Sequence, residues 1–391
     1  MPFEAFNYFC ENKAMIFNRR KFSITTGAAL LAGFGVARAQ SEGKIILGQS
    51  AAFSGPAAQL GIQFYNGAKV CFDQVNAQGG IGRQMIEIRK LDDGYEPERC
   101  AENTRKLIAE DVFALFGYIG TPTSVVALPQ AIKARVPFIA PFTGAMALRE
   151  PFNKYAFHVR ASYNDETALI VKQLTSLGLK KIAVFYQNDA YGKAGLDGVT
   201  LALASLGLKP VAQATVERNA VDVAKAVQTL VAAGPDAVVQ ISAYKSCAAF
   251  IREAKKAGYG GTFYNVSFVG TQALADELGK DGAGVVVSQV VPSPYNAARP
   301  IAREFVAAVK AAGPGTEVNF SSMEGYLAAR LLVEGLQRAG GKPTRDSLVS
   351  GLEAIGNQVM GGFSVSFSST DHVASKFVEL SMLTGDGRVR T

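Results

Sequence analysis

The sequence has no tryptophan, only two histidines and four cysteines, and none of the common motifs that mark enzymes. His158 and His372 have no partner at metal-ligand spacing, so we expect no metal centre and no cofactor. A G-x-S-x-G elbow, a P-loop and a dinucleotide-binding fingerprint are also missing. The adjacent acids Asp92 and Asp93 are predicted to form a solvated turn rather than an acid–base pair, because neighbouring side chains point in different directions. These absences predict a protein that is not an enzyme.

Residues 1–39 have the three-part pattern of an export signal. They contain the twin-arginine sequence Asn18-Arg19-Arg20-Lys21-Phe22-Ser23, an apolar run from Ile24 to Val36, and the cleavage pattern Ala37-Arg38-Ala39. The apolar run is shorter than the roughly 20 residues that a membrane-spanning helix needs. We therefore expect cleavage and a periplasmic protein exported by the twin-arginine route, with either Met1 or Met15 as the start.

The rest of the chain, about 350 residues, is longer than a single hydrophobic core usually supports, which predicts two lobes. It contains no apolar run that could span a membrane, so we expect no membrane insertion of the mature chain. A formal net charge of +7 with scattered basic residues argues against nucleic-acid binding. We expect a monomer.

Short β-branched runs alternate with amphipathic helical patterns along the chain. Strands are predicted at 44–47, 85–88, 113–116 and 137–140, and the same rhythm restarts at 181–186. Strands separated by helices of this length form parallel sheets. The sequence therefore predicts an α/β fold with two similar doubly wound lobes.

Three cysteines remain after the leader. Cys71 and Cys100 lie on the first two predicted helices, in a compartment that is expected to be oxidising. They either form a disulfide or stay as two separate buried thiols, and both alternatives stay open because the sequence does not give their geometry. Cys247 is predicted to be a buried apolar residue.

Candidate binding residues follow the predicted strands, because parallel sheets bind ligands at the carboxyl ends of their strands. Thr121 is predicted to be the N-cap of a helix after the third strand, where it either only caps the helix or also holds a carboxylate. Other strand ends carry small polar or aromatic residues: Tyr118, Phe142, Thr143, Gly144, Tyr191, Tyr244, Ser267 and Phe268.

In order and spacing, these segments resemble the periplasmic substrate-binding proteins of ABC importers, specifically the Leu/Ile/Val-binding family with the type I periplasmic-binding fold. The resemblance is carried by residues 54–59, 67–68, 75–81, 92–93, 117–124, 136–143, 191–192 and 254–258. It implies two lobes joined by a three-segment hinge, with crossings near 160–163, 288–292 and 363–368. The N-terminal lobe would comprise 40–160 and 290–363, and the C-terminal lobe 163–287 and 369–391.

The resemblance also implies roles for individual residues. Thr121 matches the family's carboxylate anchor, and Phe142, Thr143 and Gly144 match the turn that contacts the amino group of the ligand. Tyr191 matches a cleft tyrosine. In the same way, Leu60 matches the position that shapes the side-chain pocket, and Tyr244 lies within one residue of another cleft aromatic.

One position departs from the family pattern. Amino-acid-binding members pair the ligand's ammonium group with a glutamate, where this sequence has Ser267 followed by Phe268. Asp165, near the predicted hinge, could supply a charge or could cap the following helix. A buried ammonium group without a counter-charge is costly, which puts an amino acid in doubt and makes an aromatic or other organic acid a candidate.

The sequence as a whole predicts a receptor that captures a small carboxylate-bearing molecule between two closing lobes and delivers it to a membrane permease. The ligand would be like a branched-chain amino acid or would be another organic acid. The alternative is a ligand-sensing module of the same fold that serves a signalling partner.

Overall fold

This computed structural model describes residues 43–391. They form two large β-sheets of mostly parallel strands, each accompanied by helices, and a small two-stranded sheet. The predicted export signal, its cleavage site and both candidate start residues lie outside the described residues. Within residues 43–391, no helix is both long enough and apolar enough to cross a membrane. The alternation of strands and helices confirms the predicted α/β fold.

The first sheet has five strands, and all of its ladders are parallel. Their order is β2 (Ile86–Asp92), β1 (Ile45–Ala51), β3 (Ala114–Phe116), β4 (Phe138–Ile139) and β5 (Ala156–Phe157). Its first three helices are α1 (Ala58–Ala77), α2 (Pro97–Ala109) and α3 (Thr121–Ala134). Since β1 lies between β2 and β3, the strand order reverses there and leaves a crevice at the carboxyl ends of β1 and β3.

The second sheet has seven strands. Their order is β14 (Val389–Arg390), β13 (Glu379–Leu383), β10 (Val286–Gln289), β9 (Thr262–Asn265), β8 (Ala237–Ile241), β6 (Ile182–Gln187) and β7 (Gln213–Val216). The β10–β13 and β13–β14 ladders are antiparallel, and the other ladders are parallel. Its helices are α4 (Tyr163–Ser176), α5 (Ala190–Ala204), α6 (Ala224–Ala232), α7 (Tyr244–Lys256) and α8 (Thr271–Leu278). The equivalent crevice lies at the carboxyl ends of β6 and β8.

The chain then returns to the first sheet. It adds α9 (Pro300–Ala312), α10 (Phe320–Ala339), α11 (Arg345–Glu353) and a two-stranded antiparallel sheet of β11 (Gln358–Met360) and β12 (Phe363–Val365). Helix α10 packs closely along α1, where a side chain at Gly67 would overlap the carbonyl oxygen of Ser322.

Two segments that run between the sheets lie side by side. The backbone N–H of His158 donates to the carbonyl of His372 at 2.8 Å, and Ala374 N–H donates to the carbonyl of His158 at 2.8 Å. A multi-segment connection of this kind is compatible with the predicted hinge. The residue bounds predicted for the two lobes stay a prediction.

The structure contradicts the disulfide alternative, because Cys71 and Cys100 are both free and buried. A right-handed chain path places α1 and α2 on opposite faces of the sheet, since the strand order reverses between them. Cys71 accordingly packs in one core cluster and Cys100 in another. Burial raises the pKa of the Cys71 thiol to about 12. Cys247 is buried, as predicted.

Candidate functional site

Aromatic residues from the carboxyl ends of both sheets meet in one buried cluster. The ring of Phe268, after β9, lies 5.8 Å from that of Phe142, after β4, and 4.5 Å from that of Tyr191 on α5. Tyr95, after β2, lies 5.7 Å from the Phe268 ring. All four side chains are buried. The structure thus brings together three predicted site residues and adds Tyr95, which the sequence analysis missed.

A polar patch adjoins this cluster at the start of α3. The hydroxyl oxygens of Thr121 and Thr143 are 2.7 Å apart, and Thr143 Oγ1 accepts the N–H of Ala145 at 3.2 Å. The carbonyl of Gly144 accepts the N–H of Tyr163 at 2.8 Å. Because the Tyr163 ring lies 5.4 Å from the Tyr191 ring, the threonines and the aromatic cluster form one continuous site.

The prediction that Thr121 is the N-cap is wrong, since Gly120 occupies that position. Gly120 has φ 94°, in the region that favours glycine, and a side chain there would overlap the ring of Tyr95. Thr121 is instead the first helical residue, so its hydroxyl is free to bond Thr143. The first N–H groups of a helix have no partner within the helix and favour an anion.

Two tyrosine hydroxyls in the site are buried without a hydrogen-bond partner, those of Tyr163 and Tyr191. Burial raises the pKa of Tyr163 to about 12 and that of Tyr191 well above its usual range, so both groups keep their protons at neutral pH. A buried polar atom without a partner costs free energy. A ligand that accepts hydrogen bonds would satisfy both hydroxyls.

Leu60 and Tyr244 occupy different surroundings. Leu60 is fully buried, and a side chain at Gly270 would overlap it, so the turn before α8 lies directly against α1. Tyr244 borders a cavity of about 740 Å³ between α1 and the helices α7 and α8, together with Gln59 and Gln63. Of the predicted site residues, Tyr244 alone lines this cavity.

Ser267 is uncharged, but it hydrogen-bonds the carboxylate of Glu166. Its N–H donates to Glu166 Oε2 at 2.7 Å and its hydroxyl donates to Oε1 at 3.0 Å, while Ser288 Oγ donates to Oε2 at 2.6 Å. Glu166 is fully buried, and burial raises the pKa of its carboxyl group. A carboxylate therefore lies at the turn where the sequence has no acid, and the only sequence signal was its place beside Asp165.

Asp165 caps its own helix. Its carboxylate accepts the N–H of Ser162 at 2.9 Å, and the Ser162 hydroxyl accepts the N–H of Asp165 at 3.1 Å. This reciprocal arrangement is a capping box. Of the two alternatives that the sequence left for Asp165, the structure shows the helix cap.

A buried ion pair lies beside the site. Arg160 donates from Nε and Nη2 to the two carboxylate oxygens of Glu324, both at 2.7 Å. The guanidinium also lies over the ring of Phe142, 4.1 Å from its centroid. This pair joins the segment before α4 to α10, and neither residue was singled out from the sequence.

The carbonyl of Tyr118 accepts the N–H of Phe142 at 2.7 Å, but its side chain points away from the other site residues. Its ring packs on Phe138 at 5.0 Å, within the cluster that contains Cys100, and its hydroxyl accepts a hydrogen bond from Thr104 at 3.2 Å. Tyr118 comes from a strand end as predicted, but its side chain is buried on the α2 and α3 side of the sheet. It is a core residue.

The prediction of a solvated turn at Asp92 and Asp93 is wrong for Asp93, whereas the Asp92 side chain is 32% exposed. Asp93 is fully buried and accepts hydrogen bonds from Ser50 Oγ at 2.7 Å and from Tyr95 N–H at 2.8 Å. Burial raises its pKa to about 6. The role of Asp93 is to hold Tyr95 in the aromatic cluster.

A second contact joins the two sheets at the edge of the site, and we call it the rim contact. It consists of Asn219, whose side-chain N–H groups donate to Gly94 O at 3.0 Å and Glu96 Oε1 at 2.7 Å, and of Arg218, whose Nη2 donates to Glu96 Oε2 at 2.8 Å. Arg218 also donates to Asp189, the N-cap of α5, at 3.3 Å. The rim contact is therefore connected to the helix that carries Tyr191.

Comparisons with known proteins agree with this architecture. A family model described as periplasmic binding protein matches residues 44–387. The Leu/Ile/Val-binding protein homolog 7 of Brucella suis biovar 1 (strain 1330) is 27% identical over 332 residues, covering 80% of this chain and 81% of the relative. A possible leucine/isoleucine/valine-binding protein from Rhodopirellula baltica SH 1 has a TM-score of 0.85 at 34% identity, covering 89% of this chain and 96% of that one. A substrate-binding periplasmic protein from Ralstonia solanacearum has a TM-score of 0.83 at 30% identity, covering 89% of this chain and 99% of that one. These similarities confirm the resemblance that the sequence motifs indicated.

Proposed function

Since the chain belongs to the periplasmic binding protein family, a family of substrate-binding proteins rather than enzymes, we propose that it is the solute receptor of an ABC importer. It is exported by the twin-arginine route and captures a small carboxylate-bearing molecule between two closing lobes. The closed form then delivers that molecule to the membrane permease.

The observation that carries the proposal is the polar patch beside the aromatic cluster. Thr121 and Thr143 supply hydroxyls at a helix start, and Tyr163 and Tyr191 supply buried hydroxyls without a partner. Several donors around one position favour a carboxylate, because hydrogen bonds to a charged acceptor are stronger than those between neutral groups. The surrounding rings would bury the apolar remainder of the ligand.

The environment of Ser267 favours an acid without an amino group. An ammonium group needs a carboxylate acceptor, and the nearby Glu166 already accepts three hydrogen bonds. Arg160 lies close enough to stabilise the Glu166 charge. The Glu166 carboxylate is therefore already hydrogen-bonded within the protein. A ligand ammonium group would have to compete with Ser267 and Ser288 for it.

A thermal-shift comparison of matched ligand pairs tests the proposal. Leucine is compared with α-ketoisocaproate and phenylalanine with phenylpyruvate, because each keto acid keeps the carboxylate and the side chain but has a carbonyl where the amino acid has its ammonium group. We expect the keto acids to stabilise the mature protein and the amino acids to have a much smaller effect. A ligand at about 100 times its dissociation constant adds ~2.7 kcal/mol to the free energy of unfolding.

Two controls make the result decisive. Stronger stabilisation by the amino acids would overturn the amine-free assignment and leave the receptor proposal intact. Uptake of the labelled ligand by wild-type cells is then compared with uptake by a strain that lacks the gene for this protein. Equal uptake by both would contradict the delivery of this ligand to a permease.

The rim contact is expected to hold the closed form. Asn219→Ala with Arg218→Ala removes hydrogen bonds to the charged Glu96, each with a net worth of about 1.5–3 kcal/mol when buried and less where solvent screens the charge. We expect at least about a tenfold weaker affinity for the best-stabilising ligand by calorimetry, because closure is part of binding. We expect the weaker affinity to come from faster dissociation of the ligand rather than from slower association.

Lys193→Ala on α5 is the matched control, because Lys193 pairs with Asp197 on the exposed face of the same helix. Its affinity should equal that of the wild type. An unchanged affinity in the Arg218, Asn219 double variant would show that the rim contact does not contribute to closure.

A further inference from the structure

A second cavity, of about 580 Å³, lies where residues 146–165 meet residues 370–376. We call it the rear cavity. Of the residues that the sequence analysis considered for the ligand site, only Asp165, which caps α4, lines it. Its volume falls within the range of small-molecule sites, and its wall combines an apolar side, formed by Met146, Leu148 and Phe152, with a polar side that includes Arg149.

Arg149 is a buried cation that has no directly paired carboxylate. The residue is 9% exposed, and its Nη2 donates to the carbonyls of Arg160 at 2.9 Å and Ala161 at 3.3 Å. Its Nη1 donates to the carbonyl of Ala145 at 3.4 Å, and its Nε has no partner. In the part of the chain that the structure describes, no carboxylate lies within ion-pair distance of this guanidinium.

The direct partners of Arg149 are neutral carbonyls, and Asp165 and Glu166 compensate its charge only in part, from beyond ion-pair distance. Burial, and next the charge of Arg160, lower its pKa to about 10, so it stays cationic at neutral pH. Buried charges in proteins are normally paired, because desolvation of an isolated charge is costly. An anion in the rear cavity would provide the missing counter-charge.

The other charged residues of the rear cavity leave room for an anion. Lys376 is exposed at its edge and has no ion-pair partner among residues 43–391. Asp165 and Asp371 also line the cavity, but Asp165 accepts the N–H of Ser162 and Asp371 accepts the N–H of Val373, each at 2.9 Å. Glu150 is exposed, where solvent screens its charge.

We propose that the rear cavity binds a small organic carboxylate, separate from the ligand between the lobes. The carboxylate lies between Arg149 and Lys376, and the apolar body lies against Leu148 and Phe152. The apolar side distinguishes this ligand from a bare oxyanion, which would use the cations alone.

Benzoate, acetate and inorganic phosphate are the probes, and equilibrium binding to the mature protein is the measurement. Benzoate should bind more tightly than acetate or phosphate. The Thr121→Val, Tyr191→Phe double variant should keep this benzoate binding, because neither residue lines the rear cavity. Lys376→Glu should weaken benzoate binding by at least about tenfold. Phe152→Ala should weaken benzoate and leave acetate unchanged.

Lys209→Glu is the matched control, since Lys209 is exposed and lies outside the rear cavity. It should bind benzoate as the wild type does. Benzoate binding that survives Lys376→Glu and disappears in the Thr121→Val, Tyr191→Phe double variant would place benzoate between the lobes and overturn the proposal. Phosphate binding as tight as that of benzoate would overturn the assignment to an organic acid.

Discussion

Replacing Glu324 with alanine is expected to lower the free energy of unfolding by about 3–5 kcal/mol, because it leaves a buried arginine without its partner. Arg160 is 1% exposed and binds both oxygens of Glu324 at 2.7 Å. Glu324 raises the pKa of Arg160 although burial opposes it, and an arginine side chain stays protonated even without such a partner. The guanidinium of the variant therefore cannot lose its proton to escape the penalty. The measurement is urea unfolding of the mature protein at neutral pH.

A second pair on the same helix provides the control. Glu334 of α10 pairs with Arg338 on an exposed surface, and Glu334→Ala should cost no more than about 1 kcal/mol. The double variant Arg160→Met, Glu324→Leu should recover most of the stability that Glu324→Ala loses, since an apolar pair does not require desolvation of charge. If Glu324→Ala costs as little as Glu334→Ala, the pair is not a significant source of stability.

Sequence patterns predict which chain segments meet at the site better than they predict which side chains point into it. The ends of parallel strands lie at one edge of a sheet, so Phe142, Tyr191 and Phe268 could be expected to converge. Tyr118 follows the same rule and still faces the core, packed on Phe138. The two sides of a turn look alike in a sequence, because the direction of a side chain depends on local backbone angles.

The residues that sequence reasoning missed act through partners that are distant in the chain. Arg160 and Glu324 are separated by 164 positions, and Glu166 meets Ser267 across 101 positions. No local pattern encodes such a pairing. Asp93 was misjudged for the same reason: it is recognisable as a buried anchor for Tyr95 only when Ser50 is placed beside it.

Removing the hydroxyls of Thr121 and Tyr191 by Thr121→Val with Tyr191→Phe is expected to abolish measurable ligand binding while the protein stays folded. Two lost hydrogen bonds to a carboxylate, at about 1.5–3 kcal/mol each, correspond to at least about a hundredfold loss of affinity. Thr121→Val replaces a hydroxyl with a methyl group and Tyr191→Phe removes one oxygen atom, so neither opens a large cavity. Thr143 loses its hydrogen-bond partner Thr121 in this variant. The Tyr191 hydroxyl has no partner in the structure, so its removal alone should leave the free energy of unfolding unchanged or raise it.

This combination of effects is what distinguishes a ligand contact from a structural one. A structural hydroxyl contributes to stability whether ligand is present or not, whereas a ligand contact contributes only in the complex. Tyr118→Phe is the matched control, since its buried hydroxyl already bonds Thr104. That substitution should lower stability and leave affinity unchanged. Affinity is measured by calorimetry with the ligand that stabilises the wild type most in the thermal-shift comparison. The free energy of unfolding is measured in urea for the Thr121→Val, Tyr191→Phe double variant, for Tyr191→Phe alone and for Tyr118→Phe. Wild-type affinity in the Thr121→Val, Tyr191→Phe variant would refute the site, because both hydroxyls belong to the proposed carboxylate donors.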